Sequence, residues 1–292
     1  MSPLELRIFD FVGAHPLVIA IYGSLKPSFF LILIMSAALI VLLYVLERRR
    51  QPDQFARLTA ATVALMILGE LGITFGAVLT YYGYAYWHLP EPRVIKMLAA
   101  LVRPDPWPWR PVLNFVPLLW VVGLTVVWMR QGRFRPEDLG FRRPDLSVRT
   151  VFAIIAGGWL ALTGVALVWS LILPGMAAPS AARLFLEEMR AAQLPGASAF
   201  LMSWAVLVSI AEEILYRGVI YGALRQHLSV GVSLPVESLL FALAHGQWDR
   251  VVILFAGGCV LTYLYEWKGS LYIPILIHLS VQAGHVLYIL MT

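Results

Sequence analysis

The sequence predicts an all-α protein: a polytopic bundle of about eight transmembrane helices. Of the 292 residues, 60% are hydrophobic and 13% are charged, whereas soluble domains carry roughly 25% charged residues. The mean hydropathy is +0.78, and the apolar residues fall into separate runs of about the ~20 residues that a membrane-spanning helix needs. Eight such runs leave room only for short loops, so we expect no separate soluble domain.

The apolar runs follow one another along the chain, each bounded by charged, aromatic or proline-rich residues typical of interfaces and loops. The proline-rich stretch 87–110 and the segment 178–194 are predicted to lie outside the bilayer, and 8–24 is predicted to reach only the interface. No cleavable signal peptide is expected. The predicted spans are 29–46, 58–80, 112–129, 150–173, 197–224, 230–245, 251–265 and 271–291.

A basic linker, residues 130–149, separates three amino-terminal spans from five later ones. It predicts an amino-terminal transmembrane region, 1–149, and a second region, 150–292. One side of the membrane has more Lys and Arg than the other. This side holds the linker, loop 47–57, Arg225 and Lys268. That asymmetry predicts a cytoplasmic location for these loops and an outside location for both termini.

The net charge of +5 is thereby interpreted as a topology signal, and we expect no nucleic-acid partner. The chain has one cysteine, Cys259, which excludes a disulfide framework and a Cys-based zinc site. Glycine pairs at 157–158 and 257–258 are predicted to permit close helix packing.

Ionisable residues inside the apolar runs are the strongest functional signal. Each costs about 2.5–3.5 kcal/mol at the bilayer centre on insertion scales, so such residues usually face a protein interior or a watery cavity. At ~1.5 Å per helical residue, most of those in the last four spans can share one level near mid-membrane. The ionisable residues inside all the apolar runs are Glu70, Glu212, Glu213, Arg217, Glu237, His245, His278 and His285.

Helical spacing distinguishes these residues. Glu213 and Arg217 stand at i, i+4, as in an intrahelical ion pair, while Glu212 points about 100° away, on the side of Tyr216. His278 and Gln282 are also i, i+4. A free carboxylate, two imidazoles and an amide are the groups needed to activate a water and to stabilise an oxyanion at a carbonyl.

Three further residues are candidates for the lining of a cavity around this cluster. Glu237 lies two turns before His245 on a nearby face and could tune its protonation. His285 follows His278 by one heptad, and Tyr216 shares a face with Glu212.

Three motifs in the last third of the chain resemble the signatures of the CPBP family, which includes type II CAAX prenyl endopeptidases and bacteriocin-processing or immunity (Abi) proteins. Residues 212–217, EEILYR, resemble its EExxxR motif, and residues 241–245, FALAH, resemble FxxxH. Residues 278–282, HLSVQ, resemble HxxxN or HxxxD but carry Gln282 where the family usually has Asn. The resemblance covers about residues 200–290.

This resemblance implies an intramembrane endopeptidase in which Glu212 and His245 activate water. It implies that His278 and Gln282 stabilise the tetrahedral intermediate and that Glu213 with Arg217 is structural. Gln282 keeps an amide donor but displaces it by one methylene, and displacements of that size can be costly in a preorganised site.

A metal-dependent mechanism is an open alternative. A catalytic zinc takes three protein ligands and a water, and Glu212, His245 and His278 could supply them. The chain has no HExxH motif, and a Glu212 that binds metal is lost as the general base. We therefore prefer a mechanism without a cofactor, with zinc or another divalent metal as the alternative.

Two other functions remain open: a catalytically impaired membrane scaffold or immunity protein, and a proton- or ion-coupled transporter whose path would involve Glu70 and Glu237. The expected partners are membrane lipids and a membrane-associated peptide substrate, prenylated in some relatives. The expected location is a prokaryotic plasma membrane, with the chain as a multi-pass integral protein.

Overall fold

A computed structural model of the chain describes residues 27–49, 58–88, 115–172, 197–245 and 250–291. The predictions for 8–24 and 178–194, and for nearly all of 87–110, lie outside these residues. Eight long helices fill the described ranges, and these ranges contain no strand. The helices are α1 (Pro27–Arg49), α2 (Ala60–His88), α3 (Phe115–Arg130), α4 (Val148–Ile172), α5 (Ala197–Glu213, with its continuation to Arg225), α6 (Val230–Ala244), α7 (Val251–Lys268) and α8 (Tyr272–Met291).

Each predicted span coincides with one of these helices, which confirms the all-α membrane bundle. The largest difference is at α2, which continues to His88, beyond the predicted end at 80. The aromatic residues after 80 are typical of a membrane interface, and the helix continues through them.

Three helices are long and apolar enough to cross a membrane by length and composition: Leu31–Arg48, Val148–Trp169 and Val251–Lys268. Four shorter apolar segments lie in α2, α3, α6 and α8. Helix α4 exposes large apolar side chains along much of its length, among them Phe152, Leu160 and Leu171. Such a surface is typical of a helix that faces lipid.

The helices pack around one main buried cluster. Helix α6 lies along α7, α5 along α8, and α4 covers α7 and α8, while α1 contacts α2 and α6, and α3 contacts α2 and α5. Leu43 of α1, Met66 of α2 and Val121 of α3 share this cluster with Val219 and Leu271. The boundary near residue 149 stays a prediction, and residues on both sides of it form this common core.

The basic linker is fixed against the later helices. Its 3-10 turn, Pro136–Leu139, buries Leu139 in the main cluster. The Leu271 backbone N–H donates to the Gly140 carbonyl at 2.7 Å, and the Ser270 hydroxyl donates to the Arg142 carbonyl at 2.6 Å. The linker therefore holds the turn between α7 and α8, which sets where α8 enters the bundle.

A π-helix, Ile214–Tyr221, directly continues α5, and a final α-helical turn, Gly222–Arg225, ends the element. All eight residues of the π-helix are buried. Single-turn π segments in other proteins occur mostly at functional sites. Here the change of helix type comes directly after Glu212 and Glu213, the two carboxylates of the EExxxR motif.

Candidate active site

Glu213 lies at the centre of a buried hydrogen-bond network. Its Oε1 accepts a hydrogen bond from Arg217 NH1 at 3.0 Å and lies 2.8 Å from His278 Nδ1. The side chains of Glu213 and Arg217 are both completely buried. Glu213 therefore ties the π-helix to α8 and has no freedom to approach a substrate.

Arg217 is surrounded by acceptors from α6 and α7. Its Nε donates to Thr262 Oγ1 at 3.2 Å and lies 3.6 Å from Glu237 Oε1, and its NH2 donates to the Gly258 carbonyl at 3.4 Å. Its guanidinium carbon also lies 4.5 Å from the centre of the Phe241 ring. A buried cation needs such partners, because an unpaired one costs several kcal/mol.

Glu212 has different surroundings, although it is the next residue to Glu213. Its Oε2 lies 3.8 Å from His245 Nε2 and 3.9 Å from His278 Nε2. The same oxygen is buried and has no hydrogen-bond partner among the described residues, while the side chain as a whole is 21% exposed. Glu212 is thus a carboxylate between two imidazoles, partly open and unneutralised.

Each histidine is oriented through its Nδ1 atom. His245 Nδ1 lies 2.8 Å from the Phe241 carbonyl oxygen, an acceptor, so Nδ1 carries the proton and Nε2 presents its lone pair towards Glu212. His278 Nδ1 faces the Glu213 carboxylate and donates to it in the same way. Fixing a histidine through one nitrogen in this manner sets which tautomer the other nitrogen presents.

Gln282 lies one turn beyond His278 on α8. Its side-chain Nε2 is 3.4 Å from His278 Nε2. Because His278 Nε2 lacks a proton when Nδ1 donates to Glu213, the amide of Gln282 donates to it. The geometry therefore brings together Glu212, His245, His278 and Gln282, the four residues that the sequence selected; their catalytic roles stay predictions.

The three residues predicted to line a cavity differ from one another. Tyr216 lines a cavity together with Glu70 and packs edge-on against Phe241, with ring centres 5.1 Å apart. Glu237 is not among the residues that line this cavity. It is completely buried and bonded to Thr262 and Ser238, because α6 turns this face towards Arg217 and α7. His285 is exposed on α8.

Glu212, His245 and His278, which could supply metal ligands, converge but are spaced somewhat more widely than the ligands of one zinc ion. No group of three His, Cys, Asp or Glu side chains in the described part of the chain has the arrangement to hold a metal ion. Ligand atoms that share a zinc ion lie ~2.0–2.2 Å from it. The distances of 3.8 and 3.9 Å between Glu212 Oε2 and the two Nε2 atoms are wide for a tetrahedral pair of ligands.

Sequence reasoning missed three residues of this site: Phe241, Thr262 and the carbonyl of Gly258. Phe241 supports Arg217 and both histidines, with its ring centre 4.7 Å from that of His245 and 6.4 Å from that of His278. Phe241 opens the FxxxH motif, which could have been its signal. Thr262 and Gly258 act on Arg217 across helices; no local pattern marks Thr262, and the glycine pair 257–258 indicated close packing but not a contact with Arg217.

Comparisons with known proteins agree with the motifs. Residues 194–284 match the family described as type II CAAX prenyl endopeptidase Rce1-like. The membrane-embedded CAAX protease MroQ of Staphylococcus aureus (strain USA300) is 30% identical over 93 residues, which are 30% of this chain and 37% of MroQ. The uncharacterized protein YpbD of Bacillus subtilis (strain 168) is 32% identical over 82 residues, 27% of this chain and 39% of YpbD.

The chain therefore spans less than two fifths of the length of these curated relatives. No solved structure matches it. The matched region begins three residues before α5 and ends within α8, so it contains all three motifs and the whole cluster. Residues 194–284 of this membrane protein are thus similar to the Rce1-like family, in agreement with the resemblance of the three motifs to the CPBP family.

Proposed function

We propose that the protein is an intramembrane endopeptidase that hydrolyses a peptide bond in or near the membrane, with Glu212 and His245 activating the attacking water. The observation that carries the proposal is the position of Glu212 Oε2, which belongs to a side chain that is 21% exposed. It faces the Nε2 atoms of His245 and His278 at 3.8 and 3.9 Å. Such separations suit a water that hydrogen-bonds to both sides.

In this mechanism, Glu212 takes one proton from the water while His245 Nε2 accepts a hydrogen bond from the other. The water oxygen attacks the peptide carbonyl, whose oxygen becomes an oxyanion. Glu212 then gives its proton to the leaving nitrogen, so that the products are a carboxylic acid and an amine. This use of one carboxylate as base and then as acid needs no further proton donor.

The oxyanion is stabilised by the amide of Gln282 and by His278. In this role His278 is an imidazolium that already holds a proton from solvent on Nε2 before the water attacks; its Nδ1 faces Glu213, and a carboxylate in that position stabilises an imidazolium. With Nε2 protonated, the Gln282 amide no longer donates to His278 and donates to the oxyanion instead. Removal of one oxyanion donor typically costs about 10²–10³ in kcat. We expect a loss of that size for Gln282→Ala, with little change in KM.

No observation among the described residues favours transport. Glu237, which a transport path would use, is completely buried in the Arg217 network.

The substrate class that we propose is a membrane-associated peptide. CAAX-type carboxyl-terminal processing is included because the relative MroQ is named a CAAX protease. The bacterial relatives support a location in a prokaryotic plasma membrane.

Cleavage of a peptide library, prenylated and unprenylated, by the purified protein tests this function. We expect Glu212→Gln to lower kcat/KM by about 10²–10⁴-fold, the usual contribution of a general base. Glu137→Gln is the matched control, since Glu137 is exposed on the linker, and it should cleave at the wild-type rate. Equal cleavage by the wild type and Glu212→Gln would overturn the assignment of Glu212.

The same assay decides the role of metal. Because we propose no metal, a chelator should leave kcat/KM of the wild type unchanged. Loss of activity with chelator and its recovery with zinc would replace the proposed mechanism by the metal-dependent one. Peptide binding without cleavage by any preparation, unaffected by Glu212→Ala, would indicate the scaffold alternative.

A further inference from the structure

A second feature lies beside the proposed site: a cavity of about 270 Å³ between α1, α2, the π-helix and α6. Most of its lining is apolar, from side chains such as Met35, Ile67 and Leu240. Among the lining residues that the structure describes, Glu70 of α2 carries the one formal charge. No hydrogen bond or ion pair joins Glu70 to another described side chain, and the like-charged Glu212 is close enough to repel it.

The cavity adjoins the proposed catalytic water. Ala244 lines it directly before His245, and Leu215 and Tyr216 line it within one turn of Glu212. The carboxylates of Glu70 and Glu212 lie within range of mutual repulsion. A group bound in this cavity therefore lies next to the bond that Glu212 would hydrolyse.

The shape and charge of the cavity define its occupant. A carboxylate held among apolar walls is costly unless a cation pairs with it. Lysine and arginine side chains combine an apolar stem with a cationic end, which matches apolar walls with one carboxylate. The volume lies just below the roughly 300–1,000 Å³ of small-molecule pockets, so it accommodates one side chain.

We propose that this cavity is a substrate subsite for a Lys or Arg side chain next to the cleaved bond, with Glu70 as its anionic anchor. The proposal rests on the proposed peptidase function. Helix α2 lies outside residues 194–284, the region similar to the Rce1-like family. The amino-terminal helices would thus select the substrate for a catalytic cluster that the later helices hold. An acidic side chain would be rejected, because both Glu70 and Glu212 repel it.

The test uses the full-length protein in lipid nanodiscs and pools of otherwise randomised fluorogenic peptides with one position fixed as Lys, norleucine or Glu. Norleucine keeps the stem of lysine without its charge. We expect the wild type to prefer Lys over norleucine at one position by about 10–100-fold in kcat/KM, as for a hydrogen bond to a charged group. Glu70→Gln should abolish this preference, measured within each protein as the ratio of kcat/KM for the Lys pool to kcat/KM for the norleucine pool.

Charge reversal strengthens the test. Glu70→Lys should move the preference at that position towards the Glu-fixed pool. An unchanged ratio of Lys to norleucine in Glu70→Gln would overturn the proposal. A preference for prenylated pools at this position that is independent of Glu70 would also overturn it, by identifying a lipid as the occupant.

Failure of the peptidase function is distinguishable from failure of the subsite. If the wild type cleaves no pool, the proposed function is wrong, and competition binding to Glu212→Gln protein then tests the subsite alone. The subsite would be supported if Glu212→Gln protein binds the Lys pool at least tenfold more tightly than the norleucine pool. This difference in affinity should disappear when Glu70→Gln is added to the same protein. Equal binding of the two pools would overturn it.

Discussion

Glu212 and Glu213 are neighbours in the sequence, yet their carboxyl groups have opposite surroundings. Glu213 is completely buried between Arg217 and His278, whereas Glu212 is partly exposed and lies between the Nε2 atoms of His245 and His278. The arginine neutralises the Glu213 carboxylate and leaves that of Glu212 available for the proposed role of general base. Two adjacent residues can therefore divide structural and chemical work between them.

Arg217 should contribute strongly to stability. Arg217→Met would leave Glu213 and Glu237 buried without their cation, and removal of one partner of a buried pair costs about 3–5 kcal/mol. We expect the free energy of unfolding, measured in mixed micelles titrated with denaturing detergent, to fall by that amount.

Arg225→Met is the control for this change. Arg225 pairs with Glu266, and both side chains are about a third exposed, so the loss should be about 1 kcal/mol or less. Equal losses for the two variants would show that burial does not govern the role of Arg217.

At the scale of elements, the contact between α6 and α7 positions Arg217. These helices approach closely at Gly258, where an added Cβ would lie 3.0 Å from Ser238 Cβ and 3.1 Å from its Cα. The Gly258 carbonyl accepts from Arg217, and Ser238 bonds to Glu237. Because Gly258 has no side chain, α6 and α7 approach closely enough that both supply acceptors to Arg217.

Gly258→Ala should separate the two helices. Because the nearest atoms belong to Ser238 and include its backbone, they cannot move aside cheaply, and overpacking of this kind costs about 1–3 kcal/mol. The expected result is a lower unfolding temperature in detergent together with slower peptide cleavage. Gly164→Ala in α4 is the control, since a Cβ there meets no atom within 4 Å. A Gly258→Ala protein as stable as the wild type would contradict this account of the contact.

For the whole molecule, the loops predicted to be cytoplasmic meet at one end of the bundle. The linker contacts the α7–α8 turn through Arg142 and Ser270. At the same end, Gln226 donates to the Leu58 carbonyl at 3.4 Å, and Arg225 pairs with Glu266. The orientation of the bundle, with this end in the cytoplasm, stays a prediction.

Cysteine labelling checks that orientation. In a Cys259→Ser background, which removes the one native cysteine, Arg143→Cys and Lys268→Cys should react with a membrane-impermeant maleimide only in inverted vesicles. Met291→Cys, at an exposed position near the end of α8, should react in intact cells. The reverse pattern would invert the topology.

Much of this architecture could be predicted from the sequence because the relevant signals are local. Hydropathy located all eight helices, and spacing of i, i+4 paired Glu213 with Arg217. The π-helix could not be predicted, because it depends on packing against the linker and α6. The pairing of Glu237 with Arg217 could not be predicted, since the sequence of α6 does not reveal which face meets α7; its influence on His245 stays a prediction. The cavity at Glu70 could not be predicted either, because its walls come from four elements that are distant in the sequence.

The most direct measurement of the central claim is a double-mutant cycle on Glu212 and His245. If both act on one water, Glu212→Gln and His245→Ala each lower kcat/KM by about 10²–10⁴-fold. The double variant should then be no slower than the more impaired single variant, because residues that act as a unit are not additive. Losses that multiply in the double variant, or wild-type cleavage by Glu212→Gln, would contradict the account.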